Sequence, residues 1–493
     1  MKERTISILR IIITGIGVVV LVLIWLEKIP TPFEGKPIPM AIIGVTTTFL
    51  VAIFEVFKKK NAPLFNLDFE TATKLADEKL KEEIELRDKT IENLEKELAR
   101  KNLPAWEQVV KDFLEKNELL KAIESINTDA GDEEAAQKHI RKAQLYIVNF
   151  QYNEAEQHFL QAVTIFPSFY NSSAIAEFYY NLNEFSEAIT YYNHCLNLTS
   201  NLQNRAAVLN NLGLLRWKTN EYPQALEEFG KALEIHRKLV EESPKAYLPN
   251  VAMNLNNLGL LYSDMNKYPQ ALEEYEEALV IYRKLAKENP KAYLPDVAMT
   301  LNNLAVLHSD MKKYPKSLEA YKEALEIRRN LAEENSQAYL PDVAMTLNNL
   351  ANLYSYISKY PQALEEYEEA LEIYRKLVKE NPKAYLYYVA GILNNLAGLH
   401  RNIKKYSKAE EECKEALEIY KKLAEECPEA YLPDMANTLN NLALFYLKAI
   451  PNKELSFQYV NEAIAVCAKC NDTPYVRTLL EKAKWVIEEW NKE

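Results

Sequence analysis

Residues 251–289 read VAMNLNNLGLLYSDMNKYPQALEEYEEALVIYRKLAKEN, and residues 297–335 read VAMTLNNLAVLHSDMKKYPKSLEAYKEALEIRRNLAEEN, nearly the same string 46 residues later. The motif Leu-Asn-Asn-Leu followed by Gly or Ala recurs at Leu209, Leu255, Leu301, Leu347, Leu393 and Leu439, always at an interval of 46. In phase with it, Tyr-Pro recurs at Tyr222, Tyr268, Tyr314 and Tyr360, with Tyr406-Ser407 as a variant. Ala-Tyr-Leu-Pro recurs at Ala246, Ala292, Ala338 and Ala430, while the segment from Ala384 ends in Tyr387-Tyr388. A fixed period in this range marks a solenoid, because one unit cannot bury its own apolar face and neighbours must stack.

Each unit predicts two helices. Leu255, Leu258, Leu261 and Tyr262 recur at helical spacing and define the first. The second opens at Pro269, a residue tolerated at a first helical position because its missing N–H has no partner there anyway. Ala271, Tyr275, Ala278, Tyr282 and Leu285 then share one face, with glutamates opposite. The stretch bracketed by Pro290 and Pro295 reads as a linker, with Asp296 and Asp342 as N-caps of the following helices. Gly259 and Ala278 are small enough to let the two helices approach closely.

These residues closely resemble the tetratricopeptide repeat, whose signature positions are filled by Leu258, Gly259, Tyr262, Ala271, Tyr275 and Ala278. Two shorter upstream units fit the same frame. Ala143, Tyr146, Ala155, Phe159, Ala162 and Pro167 belong to the first, and Ala176, Tyr179, Ala188, Tyr192 and Cys195 to the second. The resemblance implies an all-α, right-handed superhelical solenoid of eight repeats over 137–470, closed by a capping helix at 471–493. Residues 103–136 read as a helical cap or linker at its beginning. The residues beyond the usual ~34 of a repeat resemble the kinesin-light-chain variety and are expected to lengthen the second helix and the linker.

In this family the first helices line a concave groove that binds extended peptides or helical segments. The positions that would face the ligand are Asn210, Asn256, Asn302, Asn348, Asn394 and Asn440, with their neighbours Asn211, Asn257, Asn303, Asn349, Asn395 and Asn441. A side-chain amide both donates and accepts, which suits the backbone of a bound chain. The alternative is that these amides bond each other and fix the stacking. No Lys or Arg stands among them, so a clamp for a terminal carboxylate is not expected. Met253, Met299 and Met345, with Leu214 and Leu260, make the same wall apolar and adaptable. A methionine row at helical spacing also fits buried packing.

The N-terminal end differs. Ile11–Leu26 carries no charge, and with Ile6–Leu9 it is long enough to cross ~30 Å of hydrocarbon. Ile38–Phe54 gives a second apolar stretch after a polar, proline-rich break. Residues 1–60 therefore predict a transmembrane hairpin with spans at about 6–26 and 38–57, in contact with a lipid bilayer. Lys2, Arg4 and Arg10 before the first span, and Lys58, Lys59 and Lys60 after the second, place both termini on the cytoplasmic side of a bacterial inner or plasma membrane. Residues 61–102 read as a charged helical stalk. Leu80, Ile84, Ile91, Leu94 and Leu98 offer a short coiled-coil seam that would make a homo-oligomer.

Composition excludes several functions. Fifty-nine Lys and Arg against 71 Asp and Glu give a net charge of −12 and a pI near 5.4, without the basic footprint of a nucleic-acid binder. Residues 1–60 carry +4, which leaves −16 for the rest. The ten glycines form no phosphate-cradling motif. Five scattered cysteines are no disulfide framework, and Cys467-Ala-Lys-Cys470 lacks a second ligand pair. None of the six histidines has metal-ligand spacing. His308 and His400 read as packing variants of Tyr262 and Tyr354, and His194-Cys195 diverge as helix neighbours. Neither enzyme chemistry, cofactor nor metal is expected. The sequence reads as a membrane-anchored cytosolic scaffold binding protein segments. The alternative is a defence-type sensor whose repeats recognise a trigger and whose hairpin oligomerises to disrupt the membrane.

Overall fold

The computed structural model describes residues 86–100, 103–128, 132–470 and 473–492. Among them every regular element is an α-helix, and they fall into two compact units, one ending at Asn201 and one beginning at Leu202. The apolar stretches 6–26 and 38–57 lie outside the described residues. Among the described residues no helix is long and apolar enough to cross a membrane.

The second unit is a repeat solenoid. Leu202–Lys218 pairs with Tyr222–Glu242, Pro244–Asp264 with Tyr268–Glu288, and Pro290–Asp310 with Tyr314–Glu334. Ser336–Tyr356 pairs with Tyr360–Glu380, Pro382–Asn402 with Tyr406–Glu426, and Pro428–Lys448 with Lys453–Cys467, before Pro474–Lys492 closes the array. Its core is the apolar face expected from the spacing: Leu255, Leu261, Ala271 and Ala278 are fully buried, and Tyr275 is 1% exposed. Gly259 is small for a reason, since an added Cβ would sit 2.7 Å from the Tyr275 ring. Gly213 stands in the same relation to Phe229.

The reversal inside each unit takes three residues. At 265–267 the helix ends with Asn266 in the left-handed region at φ 57°, while the Lys267 N–H donates to the Tyr262 carbonyl at 2.8 Å. This is a Schellman end, and Asn is a residue that tolerates it. Lys312, Ser358 and Lys404 adopt the same conformation in later units without that tolerance.

Between units the expected linker does not exist. The helices run through Ala-Tyr-Leu-Pro, and the chain turns on single residues, Ser243, Asn289, Asn335, Asn381 and Cys427. Asn335 and Asn381 cap the following helices by accepting from the N–H groups of Ala338 and Ala384. Asp296 and Asp342 are therefore not caps. They lie within helices, and their carbonyls accept from the hydroxyls of Thr300 and Thr346. Pro290 is the first helical residue, whereas Pro249, Pro295, Pro341 and Pro433 sit inside. Each removes one hydrogen bond in the second turn, and burial of Val251, Ala252 and Leu255 just beyond holds the helix together. The extra residues thus lengthen both helices to 21 residues each, where a longer second helix and linker were expected.

The first unit contains a helix over 86–98, then Ala105–Glu115 and Leu119–Ser125, then two shorter hairpins. The hairpins are Glu133–Val148 with Tyr152–Ile165 and Phe169–Asn181 with Phe185–Leu198. With the six of the second unit, the described residues hold eight hairpins. Ala143, Phe159, Ala176 and Cys195 are buried, as the repeat frame required. The charged segment behaves differently from a stalk over 86–98. Leu94 is buried in a cluster with Val110, Ile123 and Leu145, and Leu98 is 6% exposed. Leu94 is thus covered by the chain's own helices, Ile91 is half-buried, and Leu80 and Ile84 lie outside the described residues. Arg141 ties the arrangement together, bridging Glu97 at 2.7 Å and Glu107 at 2.8 Å while itself only 7% exposed.

Candidate protein-interaction face

On the first helices, residues four and seven apart share a face. Met253, Asn257 and Leu260 form one such row, and Met299, Asn303 and Val306 the next. Met253 and Met299 are each 38% exposed, Met345 is half-buried, and Val306 is exposed. The methionines are therefore surface residues and not core, an apolar row flanked by amides.

The asparagines form a ladder between units. Asn257 donates to the Oδ1 of Asn210 at 3.1 Å, Asn303 to Asn256 at 3.3 Å, Asn349 to Asn302 at 3.4 Å, and Asn395 to Asn348 at 3.1 Å. In each rung the second asparagine of one unit reaches the first asparagine of the unit before. Towards the end the pattern changes: Asn394 donates to Thr438, Asn440 donates to the Leu479 carbonyl, and Asn441 accepts from Lys482 at 2.8 Å. Asn210, Asn256, Asn302 and Asn440 are buried, while Asn211, Asn257, Asn303, Asn348, Asn349, Asn394, Asn395 and Asn441 are half-buried. The amides do fix the stacking. Each rung uses one of the two N–H donors of an amide, so Asn257, Asn303 and Asn349 still carry a carbonyl oxygen and a second N–H at a partly open surface.

The second helices carry a ladder of ions that the sequence did not announce. Arg237 pairs with Glu277, Arg283 with Glu323, Arg329 with Glu369 and Arg375 with Glu415, each 40 residues on. With both partners about half exposed, each pair contributes only ~0–1 kcal/mol. Burial pushes Glu274 up to about 7, with Glu277 adding to the shift.

Several groups able to carry chemistry are engaged in packing or hydrogen bonds. Cys195 and Cys413 are pushed up to about 12 by burial, so neither is a thiolate near neutral pH. His194 meets the Ser172 hydroxyl while Cys195 points to the Phe169 carbonyl, the divergence expected of neighbours on a helix. His308 and His400 are buried packing residues, and His400 holds Glu412 at 2.7 Å. Among the described residues no cluster of three metal-ligating side chains occurs.

One pair escaped the sequence because it spans the two helices of a hairpin. His139 and His158 face each other with their Nδ1 atoms 2.7 Å apart, and Tyr146 stacks on His158. One ring must donate and the other accept, so the pair cannot hold two extra protons. Burial lowers His139, and lowers His158 to about 4, with Lys142 adding to both shifts. The unfolded chain then binds more protons between pH 6.5 and about 4. Stability is full above that window and falls as the pH drops through it, by on the order of 2 kcal/mol. Melting temperatures at pH 7 and pH 4.5 should therefore differ less in His158→Gln than in the natural chain; equal differences would refute the assignment.

Family models described as tetratricopeptide repeat match residues 167–238 and 296–376 in one form, and 251–290 and 389–426 in another. Over these residues the chain matches the tetratricopeptide repeat. No curated protein matches it in sequence. Among solved structures it is similar to BtubC (BKLC) from P. vanneervenii, at 25% identity and a TM-score of 0.42 over 51% of this chain and 94% of that one. It is also similar to the apo form of RapI, at 19% identity and a TM-score of 0.46 over 61% of this chain and 98% of that one. A Rap protein complexed with Competence and Sporulation Factor is similar at 12% identity and a TM-score of 0.44, over 80% of this chain and 99% of that one.

Proposed function

We propose that the repeats are a protein-interaction scaffold that holds an extended or helical partner segment along the first helices. The exposed row of Met253 and Met299, continued by Met345 and bordered by Asn257, Asn303 and Asn349, carries this reading. Unbranched, polarizable methionines adapt to varied apolar anchors, and the remaining amide groups can meet a partner's backbone. No reaction is part of the mechanism; bringing partners together is. The combined variant Met253→Glu, Met299→Glu, Met345→Glu places charge on exposed or half-buried positions, so it should fold while capturing partners at least about tenfold less well. An unchanged partner set at an unchanged melting temperature would sink the reading.

The apolar stretches 6–26 and 38–57 and their flanking lysines and arginines support a membrane anchor with both ends cytoplasmic. On this reading the full chain resists alkaline carbonate extraction and a chain starting at residue 61 does not. Release of both would refute it.

A further inference from the structure

One repeat breaks the pattern along one face of its first helix. In Pro382–Asn402, Tyr387 and Tyr388 stand where the other full-length units have Pro249-Asn250, Pro295-Asp296, Pro341-Asp342 and Pro433-Asp434. Gly391 stands at the position of Met253, Met299 and Met345, and Gly398 at that of Leu260 and Val306. Residues 387, 391 and 398 share a helical face.

The two glycines serve openness and not packing. A Cβ added at Gly391 would meet only the Tyr420 hydroxyl, 3.8 Å away, and one added at Gly398 would meet nothing within 4 Å. This is the opposite of Gly213 and Gly259, which ring atoms crowd at 2.7 Å. With no side chain at Gly391, one turn on from Tyr387 and Tyr388, the helix surface beside the two tyrosines is left uncovered. Tyr388 stacks on the buried Tyr374 with centroids 4.9 Å apart, and Tyr387 leans on Tyr431 at 5.5 Å and Tyr420 at 6.1 Å. Their outer surfaces remain open, at 36% for Tyr387 and 42% for Tyr388. Asp434, half-buried, stands against the Tyr387 hydroxyl, which donates to its carboxylate. Among the described residues no Lys or Arg pairs with Asp434.

An anionic carboxylate set among aromatic rings and lacking a basic neighbour selects a cation. A metal ion is a poor fit, because a single carboxylate supplies too few of the oxygens that hard cations require. A guanidinium suits both features. It is planar and weakly hydrated, it lies flat on an aromatic face, and its fork of N–H donors matches a carboxylate. We propose that the open surface beside Gly391 receives an arginine side chain of the partner segment, stacked on Tyr387 and directed at Asp434. The proposal rests on the reading that the first helices hold a protein segment, and it names the residue that segment must carry.

The test is a selection from a random peptide library on the immobilised full chain, followed by counting arginine in the recovered peptides. The natural chain should enrich arginine about tenfold over the input, and lysine less. Asp434→Asn should abolish the arginine bias while other peptides are still recovered. Gly391→Met restores the residue of three sister units into open space, so it should fold normally and also abolish the bias. Peptides recovered without arginine bias, equal enrichment of lysine, or a bias that survives both variants would overturn the arginine site alone. Recovery of no peptide by the natural chain would overturn the groove reading and this one with it.

Discussion

Replacing Tyr275 by alanine should lower stability by about 3–5 kcal/mol, the cost of deleting a fully enclosed aromatic ring. Tyr275 is 1% exposed and fills the space that Gly259 leaves on the facing helix. The helices cannot close over the void, because Leu258 and Leu261 on either side of the glycine are themselves packed in the core. In a solenoid, energy is stored mainly between nearest neighbours, so the loss should be local. Hydrogen exchange should accelerate in Pro244–Asp264 and Tyr268–Glu288, and denaturant unfolding should lose cooperativity. Tyr275→Phe keeps the ring and should cost little. A loss below about 1 kcal/mol for the alanine variant would mean that the interface does not depend on this contact.

Arg141→Ala should be comparably severe, at about 3–5 kcal/mol, for an electrostatic reason. The guanidinium is nearly enclosed and neutralises Glu97 on the helix over 86–98 and Glu107 on Ala105–Glu115. Without it, two carboxylates face one another with reduced access to water. The expected result is release of these two helices from Glu133–Val148, seen as rapid proteolysis between residues 86 and 128, while 202–470 stays resistant. Arg141→Lys should recover only part of the loss, since an ammonium cannot span both acids as the planar fork does. Proteolysis at the natural rate would show that apolar contacts such as Leu94 with Val110 suffice.

Periodicity made the solenoid legible, and where periodicity stopped, so did the reading. The 46-residue spacing placed Leu255, Tyr275 and Ala278 in the core and Gly259 at a close approach. The asparagines were recognisable as a repeated feature, and both of their possible roles could be written down. Seeing the rungs needed the geometry, because a rung joins residues 47 apart and so depends on how one unit sits on the next. Ala-Tyr-Leu-Pro-Asp was misread because proline followed by aspartate imitates a helix start. The real caps, Asn335 and Asn381, stand three residues before the alanine of that string and carried no separate signal. His139 and His158 meet across a hairpin, and only the pairing of the two helices brings them together. Tyr387-Tyr388 stood out as the main break in the pattern. The open space that Gly391 and Gly398 border left no mark in the sequence.

The single-residue junctions at Ser243, Asn289, Asn335, Asn381 and Cys427 leave the solenoid without slack. One residue inserted there would rotate the following helix by ~100° about its axis and aim its leucines at solvent. The array therefore grows or shrinks as a ruler does, by whole divisions. A block of 46 residues cut at two equivalent junctions and pasted back once more would meet the same asparagine partner on either side. Reach along a partner is thus adjustable in discrete steps, with each junction acting as a register mark.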